Sequence, residues 1–193
     1  MTFKFKILLF SYGFIALICS CLTASEAEIG LDVTADQSDF NLQTSSSRLQ
    51  GNIILKHLGL KVTGDEAEVI AASESQSQLF IISGEPVRFE LKAATSNMSA
   101  TAGQLTYKPY LELIEIQDKV SITQTTADTQ FQISAEELQI TLKMGQPLQL
   151  IAKGVPIVFS QQLTDRKIVI NADKIDWDAE SHIAFLSQAT VID

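Results

Sequence analysis

Few side chains in this sequence have the type and spacing that catalysis requires. Asp176-Trp177-Asp178 sets two carboxylates either side of the single Trp, so in an extended strand both project from one face. Paired acids so placed are the minimal equipment for general acid and base work, as in glycoside hydrolysis. Beside a lone Trp they read more simply as the approach to a turn. Glu136-Glu137 are adjacent, so regular alternation sends them to opposite faces, where they cannot share a substrate. The only imidazoles, His57 and His182, lie far apart and without metal-ligand spacing. No Gly-x-Ser-x-Gly elbow, Walker loop or dinucleotide fingerprint occurs. No catalytic or metal-ligating residue is assigned, no cofactor is expected, and the chain is not expected to be an enzyme.

The elements that carry these residues are strands. Val87-Arg88-Phe89-Glu90-Leu91, Val120-Ser121-Ile122-Thr123, Phe131-Gln132-Ile133-Ser134 and Leu138-Gln139-Ile140-Thr141-Leu142 alternate apolar and polar residues, giving each strand a wet and a dry face. No long window holds an amphipathic helical period, so any helix is short and near the start. Turn signals at Leu58-Gly59, Gly84-Glu85-Pro86, Lys108-Pro109, Met144-Gly145-Gln146-Pro147 and Lys153-Gly154-Val155-Pro156 divide the chain into many short strands.

A self-similar unit recurs along these strands: apolar, polar, small, two polar, apolar. It is seen as Val62-Thr63-Gly64-Asp65-Glu66-Ala67, Ile133-Ser134-Ala135-Glu136-Glu137-Leu138 and Ile170-Asn171-Ala172-Asp173-Lys174-Ile175, with a looser copy at 98–105. Gly64, Ala102, Ala135 and Ala172 are then equivalent, a spacing that suggests stacked hairpins, each unable to bury its apolar face alone. A stack of this kind has exposed strand edges, which are templates for pairing.

The 193 residues, 46% apolar, suit one globular domain, and a net charge of −9 lacks the basic excess a nucleic-acid binder needs to displace counterions. Lys4 and Lys6 precede an uncharged apolar stretch that ends in small residues near Ala27, the layout of a secretory signal peptide. Residues 1–27 are read as that signal and 28–193 as the domain. The stretch Ile7–Ser25 is also nearly long enough for an uncleaved anchor, and Cys21 sits in a poor lipobox. Cleavage removes both cysteines, Cys19 and Cys21, and leaves 12 positive against 22 negative residues, a balance of −10 over 166 residues. The expected product is a soluble, acidic, exported domain without a thiol or disulfide.

Five short runs fall in a telling order: Leu31-Asp32-Val33-Thr34-Ala35-Asp36, Gly51-Asn52-Ile53-Ile54-Leu55, Leu60-Lys61-Val62-Thr63-Gly64-Asp65, Gly84-Glu85-Pro86-Val87-Arg88-Phe89 and Ala102-Gly103-Gln104-Leu105-Thr106-Tyr107. Together, over about residues 31–150, they resemble the OstA-like family of periplasmic lipopolysaccharide transport proteins. Gln117-Asp118-Lys119 departs from the Gly-Asn that family often shows there.

The resemblance implies an all-β fold, the OstA-like β-jellyroll: a twisted, partly open, V-shaped antiparallel sandwich of stacked hairpin repeats. It implies a periplasmic carrier that holds the acyl chains of lipopolysaccharide (lipid A) in an apolar groove and assembles end to end from inner to outer membrane. Implied partners are an LptC-like inner-membrane protein and the N-terminal domain of an LptD-like outer-membrane protein. Lipid-contact candidates are the apolar parity of the matched strands: Leu31, Val33, Ile53, Leu55, Leu60, Val62, Val87, Phe89, Leu105, Tyr107, Val120, Ile122, Phe131 and Ile133. Leu31, Val33, Phe89 and Tyr107 carry over most directly. Edge pairing falls to about Leu31–Ala35 and Ile168–Ile192. Two alternatives stay open: a membrane-anchored LptC-like component, and a structural exported β-protein that only self-assembles.

Export with cleavage predicts that protein recovered from the periplasm begins near residue 28 and fails to react with a thiol reagent. An intact peptide containing Lys4 would favour the anchor.

Overall fold

The computed structural model describes residues 30–41, 43–71, 78–94, 96–126, 130–162, 167–181 and 183–192. The expected signal segment, both cysteines and His182 lie outside them. The strands are β1 (Asp32–Thr34), β2 (Gln37–Asn41), β3 (Ser46–His57), β4 (Leu60–Ile70), β5 (Leu79–Lys92), β6 (Asn97–Lys108), β7 (Leu113–Thr125), β8 (Gln130–Lys143), β9 (Gln146–Gln162), β10 (Lys167–Asp178), β11 (Ile183–Ser187) and β12 (Thr190–Ile192). A single 3-10 turn, Pro109–Leu111, interrupts them among the described residues.

All twelve strands join one antiparallel sheet in which β3 to β11 follow in chain order, each paired with the next. The edges do not close on each other, since β1 and β2 share one side of β3 while β11 and β12 share one side of β10. This is the expected all-β, open, hairpin-stacked architecture.

Several expected short strands are instead halves of long ones. Gly84-Glu85-Pro86 lies inside the 14-residue β5, and Gly154-Val155-Pro156 inside the 17-residue β9. Glycine and proline there mark a bend rather than a turn. Each neighbouring pair slips register at that level: between Gln50 and Ile53, Thr63 and Glu66, Ser83 and Val87, Thr101 and Gln104, Gln117 and Val120, Ser134 and Glu137, and Ala172 and Lys174. One added residue exchanges which parity faces inward, as in β5 and β8, whereas β3 (Leu49, then Ile53) and β7 (Ile116, then Val120) keep theirs through the bend. In β5, Phe80 and Ile82 are buried before the bend, and Val87, Phe89 and Leu91 after it. In β8, Ile133 gives way to Leu138, Ile140 and Leu142.

The self-similar unit is therefore the bend itself. Gly64, Ala102, Ala135 and Ala172 stand at the bends of β4, β6, β8 and β10, every second strand, so one repeat is one hairpin. At Gln117-Asp118-Lys119 the bend is made by two left-handed residues, Asp118 (φ 66) and Lys119 (φ 57), and β7 continues through it.

Bending splits the sheet into two leaves. Leaf I holds 53–57, 60–63, 87–92, 97–101, 120–125, 130–134, 157–162 and 167–172; leaf II holds 46–50, 66–70, 79–83, 104–108, 113–117, 137–143, 146–153 and 174–178. They close face to face. His57 of leaf I hydrogen-bonds Tyr107 of leaf II, and Phe131 of leaf I stands edge-on to Trp177 of leaf II with ring centroids 6.0 Å apart. The two inner faces make one continuous hydrophobic core.

Gly64 is required by close approach, because a Cβ there would stand 2.6 Å from Ile82 Cγ2 and 2.8 Å from the Ser83 carbonyl oxygen. Gly64→Ala is expected to cost about 1–3 kcal/mol in a urea titration, as overpacking does. Gly30→Ala, which meets nothing within 4 Å, should change stability by less than about 0.5 kcal/mol. Equal effects at the two sites would contradict the bend's role.

Candidate functional site

Hydrophobic alternation puts the fourteen candidate lipid-contact residues on one surface, and the structure keeps them there. Ile53, Leu55, Leu60, Val62, Val87, Phe89, Leu105, Tyr107, Val120, Ile122 and Ile133 are sealed in the core, each at 2% exposure or less. Leu31, Val33 and Phe131 are partly buried and pack against that core from its rim. The closed leaves thus hold most of the expected groove as side-chain packing, and only its ends reach solvent.

The ends are set by an offset between the leaves. His57 on β3 faces Tyr107 on β6, the Leu58-Gly59 turn lies against Gly145, and Phe131 on β8 faces Trp177 on β10. Leaf I therefore covers strands of leaf II that come later in the chain. At the N-terminal end the inner face of leaf II is left uncovered, where Phe40, opposite Ser47 and in line with Val69, is 63% exposed. At the C-terminal end the inner face of leaf I is left uncovered. Val191 pairs with Ile170, Ile170 with Phe159, and Phe159 with Ile133, and Val191 is 63% exposed.

Sequence reasoning missed Phe40, Phe159, Ile168, Ile170, Trp177 and Val191 as inner-face residues at these mouths. Ile168-Val169-Ile170 is a continuous apolar run, so its parity cannot be read until the bulge at Ala172 is known. Polar groups also stand in the inner-face rows: Ser47 and Gln161 near the mouths, and Gln124 in the interior, which is 5% exposed and whose Oε1 has no hydrogen-bond partner.

The acids considered for catalysis are held apart from any such site. Glu136 and Glu137 do not take opposite faces as strict alternation implies; the bulge leaves both exposed at the bend. Asp176 Oδ1 accepts from Gln149 Nε2 at 2.8 Å, while Asp178 Oδ1 accepts from the Ser181 backbone N–H at 2.7 Å. These are bonds that order a strand pair and a turn. The bends also carry a surface cleft of 840 Å³ lined by Asp65, Glu66, Glu85, Asp118 and Lys119, outside the sandwich.

Where the leaves meet, His57 Nδ1 and the Tyr107 hydroxyl are bonded, with ring centroids 5.9 Å apart, and the Ala94 N–H donates to Gln146 Oε1 at 3.1 Å. Burial pushes His57 below its ordinary pKa of 6.5, opposed by the Glu112 carboxylate. Burial first, and Glu112 second, push Tyr107 up to about 12. The imidazole is thus neutral and the phenol keeps its proton at neutral pH, so the hydroxyl donates to Nδ1. Below pH 6.5 the unfolded imidazole takes up its proton first, so stability is expected to fall with pH through that value and level off below the depressed native one. Above pH 10 the unfolded phenol ionises first, and stability should fall again between 10 and about 12. Urea midpoints against pH check both windows: His57→Gln should shrink the acid fall and Tyr107→Phe the alkaline one. Profiles identical to that of the unsubstituted chain would contradict the assignment.

Residues 32–131 match the family described as LptA/(LptD N-terminal domain) LPS transport protein. No curated protein matches this chain. Among solved structures, LptH from Pseudomonas aeruginosa, described as the LptA homologous periplasmic component of a conserved lipopolysaccharide transport device, aligns at a TM-score of 0.49 and 12% identity over 86% of this chain and 96% of its own. The matched family is one of transport proteins rather than enzymes, in line with the expectation that no catalytic residue is present. With more than half its length matched, including β1 through β7, the chain belongs to the LptA/LptD N-terminal domain family of lipopolysaccharide transport proteins.

Proposed function

We propose that this protein is a periplasmic lipopolysaccharide carrier that takes the acyl chains of lipid A between its two leaves. The observation that carries this reading is the apolar inner face, one hydrophobic core whose rows lead by strand register to Phe40 at one mouth and Val191 at the other. Each methylene kept from water is worth about 0.8 kcal/mol, so several chains laid along such a face repay the parting of the leaves. Leu31, Val33 and Phe131 make first contact at the rim, and the eleven sealed candidates become contacts as the leaves separate. The phosphorylated sugars stay in water, away from the acidic bends.

The same reading has protomers stack end to end. One end exposes the inner face of leaf II and the other that of leaf I, so a second copy covers each where its own partner leaf is missing. Strand direction supports this. The N-terminal edge runs from leaf I to leaf II (β1 then β2), and the C-terminal edge from leaf II to leaf I (β11 then β12), so joining them continues the antiparallel order. Short, split edge strands limit indiscriminate pairing. An LptC-like protein and the N-terminal domain of an LptD-like protein are the partners proposed for the terminal edges.

A photo-activated amino acid at Phe131, and separately at outward-facing Glu90, tests the reading in cells that make lipopolysaccharide. Adducts at Phe131 and none at Glu90 are expected. Absence of adducts at Phe131, Phe159 and Val33 would overturn lipid carriage.

A further inference from the structure

Four hairpin ends converge on one side of the sandwich. A Cβ on Gly145 would stand 3.0 Å from Leu58 Cβ, Lys92 N–H donates to the Gly59 carbonyl, Leu142 N–H donates to the Glu112 carbonyl, and Ala94 N–H donates to Gln146. The ends Leu58-Gly59, Ala93-Ala94, 109–112 and Met144-Gly145 therefore form one rim. Three large apolar side chains project from it into water: Tyr110 at 84% exposure, Leu111 at 54% and Met144 at 82%.

The charge around these tips runs against that of the whole molecule. Within four residues of the rim's turns lie Lys56, Lys61, Lys92, Lys108 and Lys143 against Glu90, Glu112 and Glu115, a local excess of cations in a chain of net charge −9. Lys108 is held by Glu115 at 2.8 Å, while Lys56, Lys61, Lys92 and Lys143 are exposed. The opposite side, at the bends, carries Asp65, Glu66, Glu85, Asp118, Glu136 and Glu137 against Lys119, Lys153 and Lys174, an acidic excess. The sandwich is thus polarised, with a basic, apolar-tipped rim and an acidic spine.

We propose that this rim docks on an anionic phospholipid bilayer, with Tyr110, Leu111 and Met144 entering the headgroup region and the lysines resting on the lipid phosphates. Apolar tips on separate turns, ringed by lysine, suit a soft, planar anionic surface better than a concave protein site. An aromatic phenol at that depth keeps its hydroxyl in water. The rim lies at the hairpin ends and not at the sheet edges, so a docked protomer keeps both edges free to pair. The inference does not depend on carriage of lipid between the leaves.

Flotation with vesicles tests it, using protein released from the periplasm and no lipopolysaccharide. The protein should float with vesicles of phosphatidylglycerol and phosphatidylcholine, stay behind with phosphatidylcholine alone, and be released by high salt, which screens the contact. Lys143→Gln and Lys92→Gln should each lower partitioning about fivefold, the share of one lysine at such a surface. Tyr110→Ser with Met144→Ser should weaken binding without changing its salt dependence, and Lys153→Gln, away from the rim, should leave it unaltered. All five positions are exposed, and unchanged thermal melts would confirm that the variants fold. Equal partitioning into both vesicle types, or rim variants that float like the parent, would overturn the proposal. So would a dimer that the rim variants dissolve, because it would assign the rim to a second copy of the chain.

Discussion

Everything in this structure depends on the bend each long strand makes at its middle. A strand of eleven to seventeen residues with strict alternation would keep one face dry along its whole length, and the sheet would need a second sheet to cover it. Extra residues at the same level in β3 through β10 turn the sheet back on itself, exchanging parity in β4, β5, β6, β8, β9 and β10 and keeping it in β3 and β7, where two left-handed residues make the bend, so both halves present their apolar side chains to each other. The sheet becomes its own partner. Glycine or alanine in alternate strands, and left-handed Asp118 and Lys119 in β7, are local solutions to the same steric demand.

From that constraint the site follows. Folding one twisted sheet on itself offsets its leaves, and the offset opens a mouth at each end while the middle stays packed. Core and candidate groove are the same surface, so the packing that stabilises the closed leaves and the lipid uptake proposed above draw on the same residues. Eleven of the fourteen candidate contacts are sealed at 2% exposure or less, which makes the packed core a stand-in for the acyl chains that the proposed function places there. Gln124, buried with an unpartnered oxygen, is a polar cost carried within that packing, while the His57–Tyr107 bond ties the two leaves together at the seam.

Alternation made the strands legible, and within a strand segment it put Ile53 with Leu55, Val87 with Phe89, and Val120 with Ile122 on the buried face. The recurring unit at Gly64, Ala135 and Ala172 was legible as a repeat but not as a bend, because turn and bulge draw on the same small and polar residues. Gly84-Glu85-Pro86 and Gly154-Val155-Pro156 misled for the same reason. Glu136-Glu137 misled because alternation fails where a residue is inserted. The pairings His57 with Tyr107 and Phe131 with Trp177 join residues on different leaves, and no local pattern encodes the offset that brings them together.

The central claim is that the inner apolar face takes acyl chains, and the chain carries its own reporter of that event. Trp177 is the only tryptophan in the sequence and stands at the C-terminal mouth against Phe131. Its fluorescence should shift to the blue and saturate as lipopolysaccharide is added, and it should not respond to lipopolysaccharide stripped of its acyl chains. An unchanged spectrum with the intact lipid, or the same shift with the deacylated one, would contradict the account.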